Sequence, residues 1–216
     1  MIIRCSSLPT IMKNPRSKAA IERGEMGESA KSEVKKLVRE QLFDFTSIVS
    51  TKEMQKGIEC EDRAIELVNS ILFKEYKKNT ERKRNDYITG ECDIDTGDEI
   101  IDIKCSWSKK TFPASPGDIK INDYEWQLRG YMMLWERPNA TVCYCLVDTP
   151  GHLRPTYESD SIHDMGNIEE QLRISMFTIF RDEAKEQQII DRINNVNEFA
   201  KEYKNEILLK SESYFQ

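Results

Sequence analysis

The stretch Thr89-Gly90-Glu91-Cys92-Asp93-Ile94-Asp95-Thr96-Gly97-Asp98-Glu99-Ile100-Ile101-Asp102-Ile103-Lys104-Cys105-Ser106 decides how this chain is to be read. Gly97-Asp98 separates two β-prone runs and fits a two-residue hairpin turn, with Gly at the first central position as a type II′ turn prefers. That turn puts Asp93 directly opposite Asp102, with Cβ atoms about 4.5–5.5 Å apart on one face, where like charges repel. Lys104 points to the same face as Asp102, while Ile94, Ile101 and Ile103 point to the other. Two carboxylates beside a lysine are a natural place for a divalent cation. The hairpin is a candidate metal-dependent site.

Working outward, residues 1–20 read as a short extended start followed by a turn around Pro15. Residues 26–48 carry a helical pattern from a cap at Ser29, with Val34, Leu37, Val38 and Leu42 on one side. A stronger helix is expected over 52–76, striped by Ile58, Ile65, Val68, Ile71 and Leu72. The hairpin spans roughly 86–106, and Pro113, Pro116 and Gly117 mark a loop after it. Residues 121–136 read as a helix stopped by Pro138. Thr141 to Val147 is apolar and β-prone enough for a central strand, ended by Pro150-Gly151. From about 168 to 210 the pattern reads as helical, anchored by Leu172, Phe177, Phe180, Ile189, Ile190, Ile193, Val196, Phe199 and Tyr203. This order implies an α/β (α+β) protein, a central mixed sheet flanked by helices, with C-terminal helices.

Composition bounds the function. The 216 residues suit one domain with a full core, 1–216. Charged residues make up 32%, apolar ones 38%, and no apolar run approaches a membrane span. The N-terminus lacks a signal-peptide pattern, so a cytoplasmic location is expected. Six scattered cysteines without a C-x-x-C pair read as reduced, mostly buried thiols, with Cys143 and Cys145 on one face of a strand. Two histidines, His152 and His163, both in loop-like sequence, argue against a His-based nuclease or a Ser-His-Asp triad. The net charge of −6 excludes a generally basic coat but not a local patch. Lys74 to Arg84 is such a patch, with six basic and two acidic residues; a run like this is more often a solvated surface.

Three features carry chemistry together. Asp93 and Asp102 are hard oxygen ligands suited to Mg²⁺ or Mn²⁺ rather than zinc. Lys104 can hold a metal-bound hydroxide and offset charge building on phosphorus. Gln127 and Tyr131, spaced i and i+4, leave one face of a helix and can orient water, carboxylate or phosphate without adding charge. Glu61 stands at the edge of the buried face of the 52–76 helix. Taken singly each has a bland explanation: Asp93 serving the turn, Lys104 pairing a carboxylate, Gln127 buried and hydrogen-bonded. Their joint occurrence in this order is harder to explain that way.

Gly90-Glu91-Cys92-Asp93, Asp102-Ile103-Lys104 and Gln127-Leu128-Arg129-Gly130-Tyr131 resemble the G-x-x-D, D-x-K and Q-x-x-x-Y motifs of the PD-(D/E)xK nucleases in their RecB-like branch. The likeness is greatest to the phage lambda exonuclease (YqaJ-type viral recombinase) group. There a G-x-x-x-E helix precedes the nuclease motifs, as Gly57 to Glu61 does here. Ile103-Lys104-Cys105 with Thr111-Phe112, and Ser6, Ile11-Met12 and Pro15-Arg16-Ser17, follow the same group's pattern. The similarity covers roughly residues 4–148.

The resemblance implies a restriction-endonuclease-like core and a metal-dependent DNA exonuclease acting on duplex ends, 5′ to 3′, in phage-type recombination or repair. It implies that Asp93, Asp102 and the main-chain carbonyl of Ile103 bind Mg²⁺, with Mn²⁺ substituting. Lys104 would position the attacking water, Gln127 would support it, and Glu61 would assist at the metal or DNA end. Arg4, Ser6, Arg16 and Tyr131 would contact DNA, the first two near the terminal 5′ phosphate. Arg4 replaces the group's phosphate-binding arginine, which lies several residues before its serine. Residues 1–50 would then be a DNA-end-contacting segment, 52–148 the catalytic core and 168–210 C-terminal helices. A toroidal homotrimer and a single-strand annealing protein are the partners the resemblance implies. Two alternatives keep the fold: a structure-specific or single-strand nuclease, and a DNA-end-binding subunit without turnover.

Overall fold

Isoleucines alternating with charged residues make Glu99–Cys105 the strand around which the rest is arranged. The structure, a computed structural model, describes residues 1–47 and 50–213. In chain order the elements are β1 (Ile3–Arg4), α1 (Leu8–Ile11), α2 (Lys18–Glu22), α3 (Glu28–Leu42), α4 (Lys52–Leu72), β2 (Lys83–Arg84), β3 (Ile88–Gly90), β4 (Ile94–Asp95), β5 (Glu99–Cys105), α5 (Glu125–Trp135), β6 (Asn139–Cys145), β7 (Ile174–Phe180) and α6 (Glu183–Ser213). They build a mixed sheet in the order β4-β5-β6-β7, with β5 and β6 parallel, and a smaller mixed sheet β1-β3-β2.

The hairpin has the expected register. Ile94 faces Ile101, Asp95 faces Ile100, and Thr96 N–H donates to Glu99 O at 3.0 Å around Gly97-Asp98. Gly97 takes φ +93°, a conformation that glycine adopts without strain. Arg137, just past α5, grips Asp95 with Nε at 2.7 Å and Nη2 at 2.8 Å, pinning the hairpin to the next helix. The hairpin is shorter than expected at its start, because Ile88–Gly90 joins the smaller sheet between β1 and β2. Asn79 marks the break: its N–H donates to Asp93 O at 2.7 Å and its side chain to Cys92 O at 2.9 Å.

Helices cover both faces of the larger sheet. On one side Ile94, Ile101, Ile103, Cys143 and Cys145 pack against Cys60, Ala64, Ile65 and Val68 of α4. On the other, Ile100, Ala140 and Val142 join Leu128, Met132 and Trp135 of α5, backed by α1, α3 and α6. Each fully buried side chain of this size contributes about 1.5–3 kcal/mol. The arrangement is the expected α/β architecture with a C-terminal helix.

Some helix boundaries and one buried position differ from the sequence reading. Gly27, not Ser29, caps α3, because a Cβ at Gly27 would lie 2.8 Å from the Lys13 carbonyl oxygen. The helix ends at Leu42, and Ile48, the last residue of its expected span, lies outside the described residues. Helix α4 stops at Leu72, where Phe73 turns left-handed at φ 53°. Ile58, expected in its buried stripe, is 74% exposed, while Lys56 is fully buried. The Lys56 ammonium donates to Ser106 O at 2.6 Å, Val147 O at 2.8 Å, Thr149 Oγ1 at 2.8 Å and Trp107 O at 3.1 Å, tying the ends of β5 and β6 together.

The largest correction lies near the C-terminus. Phe177 and Phe180 belong to strand β7, antiparallel to β6, and not to a helix. Ile174 and Met176 pack on the α4 side and Phe177 and Ile179 on the other, so both faces are apolar and the period of two is hidden. Helix α6 then runs from Glu183, with Ile189, Ile193 and Val196 buried as expected. Among the described residues no helix is long and apolar enough to cross a membrane.

Candidate active site

The β4–β5 ladder ends at Ile94, one residue before Asp93 would pair with Asp102. The next N–H of β5 that faces this edge, on Ile103, donates instead to the Asp93 carboxylate, Oδ2 at 2.6 Å. Backbone alternation turns the Ile103 carbonyl to the same edge, past the end of β4. Asp102 is 1% exposed on the α5 side of the sheet. Its Oδ1 accepts from Gln127 Nε2 at 3.2 Å. Lys104 Nζ lies 2.6 Å from Asp102 Oδ2, yet that buried oxygen has no donor in hydrogen-bonding alignment. The lysine neutralises charge there without saturating the oxygen.

The electrostatics follow from burial. Removal from water pushes the Asp93 carboxyl up to about 7, and the neighbouring Asp102 pushes the same way, against the pull of Lys104 and the Ile103 N–H. Burial alone would lower the Lys104 ammonium, but Asp102 and Asp93 outweigh it and raise it. Two carboxylates share one ammonium here, and burial makes the second negative charge costly unless a further cation joins it.

Helix α5 supplies the third motif. Gln127 Nε2 also donates to Tyr131 OH at 3.0 Å, so one amide spans both groups. Tyr131 is buried, and burial raises its phenol. Gly90 makes room for it: a Cβ there would lie 2.8 Å from Tyr131 Cε1 and 2.8 Å from Cys5 Sγ. Glu61 stands apart from the carboxylate pair, bound to Lys78 at 3.1 Å, though near enough to Asp93 to push its carboxyl up. Among the described residues no three His, Cys, Asp or Glu side chains form a metal-binding group.

The donor set fits a hard cation. Two carboxylates, one with a buried oxygen lacking an aligned donor, together with a main-chain carbonyl at the strand edge, are all oxygen ligands of the kind Mg²⁺ and Mn²⁺ take. The histidines are elsewhere: His163 is buried against Thr149 and Glu158, and His152 pairs with Glu59. All six cysteines are free thiols.

Arg4, Ser6 and Tyr131 line one cavity of about 530 Å³. Arg82, hidden in the sequence within a charge run, lines it too and pairs with Glu91 at 3.0 Å. Arg16 lies in a separate cavity with Asn14, Pro15, Glu28 and Ser29. Tyr124 also escaped the sequence reading; the Lys104 ammonium lies 5.5 Å from its ring centroid. No spacing rule reveals a contact between residues so far apart in the chain.

An oxygen-lined acidic pair, a lysine and a glutamine on a mixed sheet flanked by helices define a nuclease of the PD-(D/E)xK class. The chain is 35% identical to a phage-related exonuclease from Haemophilus somnus 129PT over 98% of this chain and 96% of that one, with a TM-score of 0.83. It therefore belongs to the phage-related exonucleases, the lambda exonuclease (YqaJ-type) group. The fold is shared with an alkaline exonuclease from Laribacter hongkongensis, 14% identical over 99% of this chain and 94% of that one, TM-score 0.68. The same enzyme in complex with dAMP gives a TM-score of 0.67 at 16% identity. No family model and no curated protein matches the chain.

Proposed function

We propose that this exonuclease is a Mg²⁺-dependent deoxyribonuclease that digests duplex DNA from its ends, 5′ to 3′, in phage-type recombination. The observation that carries the reading is the buried Asp102 carboxylate, 2.6 Å from the Lys104 ammonium and close enough to Asp93 to push its carboxyl up. Asp93, Asp102 and the Ile103 carbonyl would hold Mg²⁺, which when bound polarises the phosphate and acidifies a bound water. Lys104 would orient the attacking water and offset charge developing on phosphorus. Gln127 holds the Asp102 carboxylate in place. In the step itself the water oxygen bonds to phosphorus, the bond from phosphorus to the 3′ oxygen breaks, and the leaving oxygen takes a proton.

Arg4, Ser6, Arg82 and Tyr131 form the wall that receives the terminal 5′ phosphate, and Arg16 follows the backbone further along. Glu61 acts at the DNA side, held by Lys78. Residues 1–50 then serve the DNA end and 52–148 the chemistry, in a homotrimer that works with a single-strand annealing protein. Linear duplex labelled on the base of its 5′-terminal nucleotide, with or without a 5′ phosphate, is incubated with Mg²⁺, Mn²⁺ or EDTA. Labelled mononucleotide should appear early, with metal only and faster from phosphorylated ends. Absence of metal-dependent degradation overturns the reading; label lost last overturns the polarity alone.

A further inference from the structure

Lys104 on β5 stands beside Tyr144 on β6 in the parallel register. Both face the side of the sheet that carries Asp102. Tyr124, at the start of α5, completes the group: the Lys104 ammonium lies 5.5 Å from its ring centroid, and its hydroxyl meets that of Tyr144 at 2.5 Å. The two rings pack edge to face with centroids 6.0 Å apart. Tyr124 O also accepts the Leu128 N–H at 3.0 Å, inside the first turn of the helix that carries Gln127.

A lysine has four rotatable bonds and a compact charge that a carboxylate alone holds at no fixed angle. Asp102 attracts the ammonium from one side, but the same carboxylate is the group the metal would engage. An aromatic face attracts a cation without drawing on any carboxylate oxygen. Tyr144 fixes that face, because the hydroxyl pair and the edge-to-face packing leave the Tyr124 ring little freedom.

We infer that Tyr124, locked by Tyr144, is a positioning residue that holds the Lys104 ammonium in its working place independently of Asp102. The inference rests on the role proposed above for Lys104. It separates two aspects of one residue: the ring of Tyr124 sets the lysine, and its hydroxyl only steadies the ring.

The test compares Tyr124→Leu, Tyr124→Phe, Tyr144→Phe, Lys104→Ala and the Tyr124→Leu/Lys104→Ala double variant on linear duplex. Steady-state kcat and KM are measured with Mg²⁺, DNA affinity is measured in EDTA, and folding is checked by circular dichroism. Tyr124→Leu should lower kcat about 10-fold, with KM and metal-free DNA affinity unchanged. Tyr124→Phe, which keeps the ring, should recover most of that loss, and Tyr144→Phe should lose about 3-fold. The double variant should be no slower than Lys104→Ala. Weaker DNA binding by Tyr124→Leu, with kcat intact, overturns the inference and makes Tyr124 a DNA contact. Fully multiplicative losses in the double variant overturn it too. If Tyr124→Leu does not fold, a Tyr124→Phe variant as slow as Lys104→Ala overturns it, because the ring would then not suffice. A Lys104→Ala enzyme as fast as the wild type removes the underlying role of Lys104, an outcome distinct from all of these.

Discussion

Asp93 accepts the backbone N–H of Ile103 at 2.6 Å, so a carboxylate of the site is held by the strand that carries its partner. Charge and hydrogen-bonding capacity can be separated here. Asp93→Asn keeps an oxygen for the N–H and removes the charge; Asp93→Ala removes both. Metal-dependent cleavage should fall about 1,000-fold or more in each. Urea denaturation in EDTA should show Asp93→Asn at least as stable as the wild type at neutral pH, since burial opposes the charge. Asp93→Ala should be about 1–3 kcal/mol less stable than Asp93→Asn, for the N–H left without a partner.

Gly90 lets Tyr131 reach Gln127. A Cβ there meets Cys5 Sγ and Tyr131 Cε1, both at 2.8 Å, in a packed interior. Gly90→Ala should cost about 1–3 kcal/mol and displace Tyr131, lowering kcat. Gly57, inside α4 with open space around its Cβ, gives the opposite result. Gly57→Ala should raise stability by about 0.5–1 kcal/mol, and thermal melts of both glycine variants against the wild type check the two signs.

Lys56 is a costly position to empty. Its ammonium serves three carbonyls and Thr149 where the chain leaves β5 and β6. Lys56→Met removes the charge and takes the ammonium from Ser106 O and Val147 O, while Trp107 O keeps the Thr149 hydroxyl at 2.8 Å. A loss of about 3–5 kcal/mol is expected, read from urea denaturation midpoints.

Alkaline pH should destabilise the protein through its thiols. Burial pushes Cys5, Cys92 and Cys105 up to about 12 from an ordinary 9.0. Below pH 9 folded and unfolded chains both keep these protons. Between 9 and 12 the unfolded chain sheds them first, so their stabilising contribution is lost as pH rises through that window. Lys56, lowered by burial to about 8 from 10.5, works the other way between those two values. Three thiols outnumber one lysine, so the melting temperature should fall above pH 9. Replacing Cys5 with Ala should flatten the fall, a change that scans at pH 8 and pH 11 would register.

The sequence spoke clearly where structure is local. A two-residue turn and period-two alternation sufficed to put Asp102 and Lys104 on one face, and i,i+4 spacing sufficed for Gln127 and Tyr131; Asp93 leaves the ladder one residue early because its carboxylate takes the Ile103 N–H. The helical misreading of Ile174–Phe180 arose because both faces of that strand are apolar, which erases the alternation that marks a half-buried strand. Ile58 is exposed where Lys56 is buried, because carbonyls at the ends of β5 and β6 reward a buried ammonium, and those carbonyls lie 50 and 91 residues away in the chain. Arg82 and Tyr124 were missed for the same reason, since folding alone brings them to the cavity and to Lys104.

The hydrogen bond that the Ile103 N–H donates to Asp93 also reports on the site. A main-chain N–H bonded to a carboxylate, rather than to a neighbouring strand, exchanges with solvent deuterium at a rate set by what that carboxylate is doing. The Ile103 amide is thus a built-in reporter: any occupant that competes for Asp93 alters its protection, while the amides of Ile100 and Ile101 deeper in the ladder provide an internal reference.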